Sequence, residues 1–328
     1  MADVPPTDTA ALPDILALGE PMVEFNQAGD ASGRLYRQGF GGDVSNFAIA
    51  AARQGARAGL VSALGDDPYG RLLRALWAAE GVDHRFVATD AAAFTAVYFV
   101  THDAQGHHFH FFRAGSAASR LGPAALPLDA IGRCRLLHLS GISLGISTAA
   151  CDAGFAAIAA ARAAGVPVSF DTNLRLKLWP LARAQAVMAE ALRQADLCLP
   201  SLDDISALTG LADPDAIVDH CLRQGARVVA LKLGAQGALV ADATQRHRIA
   251  PHPCRALDAT GAGDTFGGAF AARWLAGDDL LAAGRYAAVA AALSTEGYGA
   301  VEPIPRADAV WRALAGQAGA ARAQNVPG

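Results

Sequence analysis

Residues 254–274 read CRALDATGAGDTFGGAFAARW, centred on Asp258-Ala259-Thr260-Gly261-Ala262-Gly263-Asp264-Thr265. Gly261 and Gly263 tolerate backbone angles that other residues resist, and they leave the neighbouring amides uncovered. Phe266, Phe270 and Trp274 then recur every four residues, as one buried face of a helix would. A glycine turn therefore feeds a helix start. N–H groups without intrahelical acceptors, with the helix dipole behind them, form a site for an anion such as phosphate. Asp264 sits in the same turn. A carboxylate is no electrostatic partner for phosphate, but it can take the proton of a hydroxyl that attacks phosphorus. The competing reading is a structural turn whose Asp complements the helix dipole.

Working outward, a second glycine turn, Gly39-Phe40-Gly41-Gly42-Asp43-Val44-Ser45-Asn46, precedes the helical run FAIAAARQG. DILALG (14–19) reads as a buried first strand, and ARAGLVSALG as another. Two alternating stretches, around Gly29–Gly33 and across 94–113 with Gln105-Gly106 at the turn, predict two hairpins and so a small β subdomain. From residue 135 the pattern is strand, helix, strand, helix, which implies an α/β fold with a mostly parallel sheet and helices on both faces. Ligands in such folds bind beyond the carboxyl ends of the strands. Asn173 and Arg175, Ser201 and Asp204, and Lys232 and Gly234 all fall at such ends.

The 328 residues, 52% hydrophobic and 18% charged, suffice for a large core. A formal charge of −4 without a basic block argues against nucleic acid. Only Lys177 and Lys232 stand against 25 arginines, which makes each lysine worth inspecting. Five scattered cysteines without a CxxC pair read as reduced thiols of a cytoplasmic protein. The first residues show no secretory leader, and no apolar run is long enough to span a membrane. Residues 1–13 and 321–328 are expected to be flexible tails around a single domain of 14–320.

Four other motifs compete with this turn. No lysine follows a glycine, so a P-loop is excluded, and residue 266 is Phe where a dinucleotide fingerprint needs a third glycine. Gly141-Ile142-Ser143-Leu144-Gly145 matches the nucleophile elbow of a serine hydrolase, but it would leave the 258–265 turn unexplained. His107, His108 and His110 suggest metal, yet no acidic or Cys ligand accompanies them, and a surface hairpin is the plainer account.

Taken together, Asp258–Thr265, Gly41-Gly42 with Asn46, and Gly65-Asp66-Asp67 with Gly70 make the chain resemble the ribokinase-like (PfkB) carbohydrate kinases over about 14–305. Phe112–Ser119 (FRAGSAAS) and Phe170–Trp179 (FDTNLRLKLW) are most similar to 2-dehydro-3-deoxygluconate (KDG) kinases. The resemblance implies a three-layer sandwich with a β lid formed by about 22–38 and 94–113. It implies ATP and Mg²⁺, with a monovalent cation open, and a homodimer paired through the lid, with no nucleic acid or membrane partner. Asp264 would be the catalytic base, and the amides of Gly261, Ala262 and Gly263 would stabilise the moving phosphoryl group. Gly41, Gly42, Asn46, Tyr98, Phe112, Arg113 and Arg175 would hold the sugar acid. Asn173, Arg175, Ser201, Lys232, Gly234, Gly237, Gly261 and Gly263 would line ATP, and Asp204 would reach the metal through water. Two departures stand out. Phe111 and Phe112 replace tyrosines, leaving Tyr98 as the substitute hydroxyl, and Ser201-Leu202-Asp203-Asp204 replaces an Asn-x-x-Glu. Glu20 and Glu24 are shared with fructokinases, so a neutral sugar competes as substrate; the serine hydrolase is the distant alternative.

Overall fold

The computed structural model describes residues 11–28, 33–103 and 106–324. The expected hairpin tips at Gly29 and Gln105, residues 1–10 and residues 325–328 lie outside the described residues. The opening apolar run becomes β1 (Ile15–Leu18). It is followed by β2 (Met22–Gln27), β3 (Tyr36–Gly41), β4 (Ala58–Gly65), β5 (Asp83–Asp90), β6 (Val97–Asp103) and β7 (Gly106–Phe112). The second half adds β8 (Leu136–Ser140), β9 (Val168–Asp171), β10 (Leu197–Cys198), β11 (Val228–Lys232), β12 (Ala238–Ala241) and β13 (Arg246–Ile249).

Among the described residues these strands form a nine-stranded sheet, ordered β13-β12-β11-β10-β9-β8-β1-β4-β5, and a four-stranded one, ordered β3-β2-β6-β7. The large sheet is parallel from β5 to β11, and β12 and β13 append antiparallel at one edge. β1, β4, β8 and β9 are buried throughout, as strands covered on both faces must be. One face packs Phe47, Phe266, Phe270 and Tyr286 from the helices Asp43–Arg53, Ala262–Leu275 and Leu280–Ser294. The other packs Ile158, Met188, Ile205 and Val218 from Thr148–Ala163, Leu181–Gln194, Leu202–Thr209 and Pro214–Gln224. The molecule is a three-layer α/β sandwich with a separate small sheet, as the resemblance implies.

Several details depart from the sequence reading. The two hairpins merge into one sheet because β2 runs parallel to β6, setting Glu24 beside Tyr98. β5 and β13 are edge strands carrying Asp, His and Arg, so neither shows the apolar pattern of a core strand. The first long helix begins at Asp43, directly after Gly42, and not at Phe47. Leu12 and Pro13 already pack against the body, and the last helix, Ala307–Gln324, runs into the stretch expected as tail. Cys134, Cys151, Cys198 and Cys221 are buried thiols, and Cys254 is exposed. Among the described residues no helix is long and apolar enough to cross a membrane.

Candidate active site

The two glycine turns face each other beyond the carboxyl ends of β1, β9 and β11. Gly261 caps the helix Ala262–Leu275 with a φ of 76°, and a Cβ there would stand 2.9 Å from the Ala300 carbonyl oxygen. Both the angle and the contact exclude a side chain. The first helical N–H groups have no intrahelical acceptor. Ala262 spends its own on Ala259 O at 3.2 Å, which leaves those of Gly263 and Asp264 as the stronger anion donors. A Cβ on Gly263 would lie 3.5 Å from Lys232 Nζ, so an ammonium stands beside the turn. That ammonium donates to Asp171 Oδ2 at 2.5 Å.

Asp264 is partly buried, and Asn46 Nδ2 donates to its Oδ2 at 2.8 Å. Burial pushes the Asp264 carboxyl up, with the facing Asp43 and then Asp171 adding to the rise; Asn46 and Lys232 oppose it. A carboxylate with raised proton affinity is a base matched to neutral pH. Asp171 is likewise raised by burial against the pull of Lys232. Behind them His138, stacked on Phe47 with ring centroids 3.5 Å apart, is pushed down to about 3 by burial and by Lys232, and so is neutral.

Gly42 holds a φ of 99° and presses so close to Glu20 that a Cβ would sit 2.4 Å from its carbonyl oxygen. This lets Asp43 and Asn46 share one side of the helix that follows. Asn173 takes a φ of 31°, and its Nδ2 donates to Asp43 Oδ2 at 3.1 Å. Asp43 Oδ1 and Asn46 Oδ1 are buried without a hydrogen-bond partner among the described residues.

Arg113 does not stand free. Its Nε donates to Glu20 Oε2 at 2.7 Å, its Nη2 donates to the same oxygen, and Ser116 Oγ holds Glu20 Oε1 at 3.0 Å. Glu20 is fully buried; burial raises its carboxyl, and Arg113 and Ser116 pull the other way. Tyr98 beside Gly41 gives its hydroxyl to buried Glu24, so it is occupied as well. Phe112 is 57% exposed and meets Phe99 edge-on. Arg175 is exposed after β9 and donates one bond, Nη1 to Leu174 O at 2.8 Å, with no acid paired to it among the described residues.

At the far end, Ser201 caps the helix Leu202–Thr209 by accepting from Asp204 N at 3.3 Å. Asp204 follows in the first turn, close enough to add to the rise of Asp171. Gly234 and Gly237 form the turn between β11 and β12, where a Cβ on Gly237 would lie 2.0 Å from Ile249 O. No group of three or more His, Cys, Asp or Glu among the described residues is arranged to hold a metal.

An anion turn, a raised carboxylate and an ammonium are parts for phosphoryl transfer. The family model of pfkB family carbohydrate kinases matches residues 13–307. The chain belongs to that family. This pfkB family kinase is 32% identical to the 2-dehydro-3-deoxygluconokinase of Thermoproteus tenax, over 90% of this chain and 92% of that one. It is 35% identical to the fructokinase of Klebsiella pneumoniae, over 92% and 99%. It superposes with a TM-score of 0.85 and 26% identity on an Escherichia coli protein provisionally named ribokinase II, solved with ATP and Mg²⁺, over 93% and 99% of the two chains. The chain is thus a carbohydrate kinase of that family.

The competing motifs dissolve in the same geometry. Ser143 is 3% exposed, closes a capping box with Ser140 and donates to Leu18 O at 2.8 Å, so it is a structural residue and the hydrolase reading falls. His108 pairs with Asp103 and His110 with Thr101 on the small sheet. Asp43 and Glu20 are the residues that reading the sequence left without a role. Asp43 carried a clue in its place directly after Gly42, whereas the partner of Glu20 lies 93 residues away.

Proposed function

We propose that this kinase transfers the terminal phosphoryl group of ATP to the primary hydroxyl of a sugar acid, 2-keto-3-deoxygluconate, giving its 6-phosphate. Asp264 takes the hydroxyl proton as the oxygen attacks phosphorus. The N–H groups of Gly263 and Asp264 and the Lys232 ammonium meet the charge on the transferring group. Gly234, Gly237, Asn173 and Ser201 line the nucleotide. Asp204, in the first turn of its helix, would hold through water a Mg²⁺ carried by the phosphates. When bound, Mg²⁺ neutralises phosphate charge. The small sheet acts as a lid that excludes water, and its exposed Leu35, Tyr36, Phe111 and Phe112 support pairing with a second copy.

Arg175 carries the choice of an acid over a neutral sugar. Its guanidinium is unmatched by any acid among the described residues, whereas Arg113 is neutralised by Glu20. An exposed, unpaired guanidinium matches a substrate carboxylate. The test is ADP release from ATP and Mg²⁺ with a panel of sugars and sugar acids. The account expects the highest kcat/KM with 2-keto-3-deoxygluconate; faster turnover of fructose would overturn it.

A further inference from the structure

Residues 295–306 carry no helix or strand, yet they form the wall behind the anion turn. Ala300 is buried, and its carbonyl oxygen, Cα and Cβ would all lie within 3.1 Å of a Cβ on Gly261. Gly299 N donates to Asp258 Oδ2 at 2.9 Å, and the N–H groups of Leu257 and Asp258 both donate to Thr295 O. The turn that presents the Gly263 and Asp264 amides is therefore only as well placed as this irregular segment. A segment with no hydrogen-bond ladder of its own must have its backbone groups satisfied by side chains.

Arg53 supplies that hold. It ends the helix Asp43–Arg53, and its side chain is 8% exposed. Nη1 donates to Val301 O at 3.0 Å and also to Ile304 O. Nε and Nη2 donate to the two carboxylate oxygens of Glu80 at 2.9 and 2.8 Å. The guanidinium fork thus spans a carboxylate on one side and two main-chain carbonyls on the other, a reach that a single ammonium lacks. Gln54 extends the grip: its Nε2 donates to Pro305 O at 2.8 Å, and the Tyr286 hydroxyl holds its Oε1. Asn46, which holds Asp264, and Arg53 lie two turns apart on one face of the same helix. One rigid element therefore sets the base at one end and, through residues 300–304, the backing of the amides at the other.

We propose that Arg53 is a positioning residue for phosphoryl transfer: by fixing the carbonyls of Val301 and Ile304 it holds the segment against which Gly261 closes, and so aims the Gly263 and Asp264 amides. The proposal rests on the phosphoryl-transfer reading above and not on which sugar is preferred. A displacement of about 1 Å caused from outside the reacting centre can lower a rate by about 100-fold. A purely architectural arginine would instead support stability and leave the turn's preference for a transferring phosphoryl group as it is.

The test uses whichever sugar of the panel releases ADP fastest. Wild type, Arg53→Lys, Glu80→Gln and Arg306→Ala are compared in kcat, in sugar KM, in melting temperature, and in affinity for ADP alone and for ADP with aluminium fluoride, a mimic of the transferring group. Arg53→Lys keeps a cation for Glu80 but loses the fork. Its kcat, and its preference for the mimic over ADP, should each fall by about 10- to 100-fold, with sugar KM changing by less than about threefold. Glu80→Gln keeps an acceptor for Arg53 and should show the same selective loss at smaller size; it decides the matter where Arg53→Lys does not fold. Arg306 meets the same glutamate from an exposed position at 3.4 Å, so Arg306→Ala should leave kcat and the mimic preference unchanged. A folded Arg53→Lys with both quantities at wild-type values, whatever its melting temperature, would overturn the proposal, as would equal losses for ADP and for the mimic. A wild type that neither releases ADP with any sugar nor binds the mimic more tightly than ADP would sink the phosphoryl-transfer reading, and the proposal with it.

Discussion

Gly261, Gly263 and Asp264 come from one turn, and their chemistry is local: a helix start, a positive φ and a carboxylate in the first turn. Where the small sheet meets the body, Glu20 meets Arg113 across 93 residues and Glu24 meets Tyr98 across 74. The first arrangement is legible from a few consecutive letters. The second is not, because whether an arginine is free or already matched depends on what the fold brings beside it. Arg113 and Arg175 look alike in sequence, each at a loop start. In the structure one is locked to a buried glutamate and the other is unpaired.

The comparison can be broken at either end. The largest effect belongs to Asp264→Asn, which should lower kcat by about 10²- to 10⁴-fold, the range of general-base catalysis. Sugar affinity should change little, and steady-state kinetics with calorimetry separates the two. A variant with near-normal kcat would remove the base from the account.

Next comes Glu20→Gln, which leaves the Arg113 charge buried without its counter-charge. Breaking such a pair should cost about 3 kcal/mol in denaturant unfolding, with kcat falling less than for Asp264→Asn. If stability were unchanged, Arg113 would not be locked as described, and it could serve as a free anion reader beside Arg175.

A third effect is one of pH on stability. Burial and then Asp43 push Asp264 up to about 8 from an ordinary 3.8. A carboxyl raised in the fold favours folding when protonated, and that contribution is lost as pH rises through the raised value. Asp264→Asn should therefore melt higher than wild type at about pH 9, with the gain shrinking towards about pH 4. A variant less stable than wild type at alkaline pH would show that the carboxylate is not penalised there. The same ionisation should make wild-type kcat/KM fall as pH drops below the raised value, since the base must be unprotonated to act.

Much of the fold could be read from sequence for physical reasons that the site shares. β1, β4, β8 and β9 are continuous apolar runs because both faces are covered. Gly81 and Gly210 close helices in the left-handed conformation, as glycine after a periodic run suggests. The edge strands β5 and β13 escaped because solvent on one side admits Asp, His and Arg. The roles of Asp43, Glu20 and Tyr98 escaped because they are set by distant surroundings: an unfilled oxygen, a buried ion pair and a buried hydrogen bond. Ser143 misled for the same reason, since its motif is local and its partner, the Leu18 carbonyl, is not.

The account stands or falls on whether the sugar end reads a carboxylate through Arg175. The direct measurement is kcat/KM for 2-keto-3-deoxygluconate and for fructose, each in wild type and in Arg175→Ala. The loss of one charged hydrogen-bonding partner predicts a fall of about 10- to 100-fold on the sugar acid, with fructose changing by much less. Parallel losses on both sugars would contradict it and make Arg175 a residue of the nucleotide side alone.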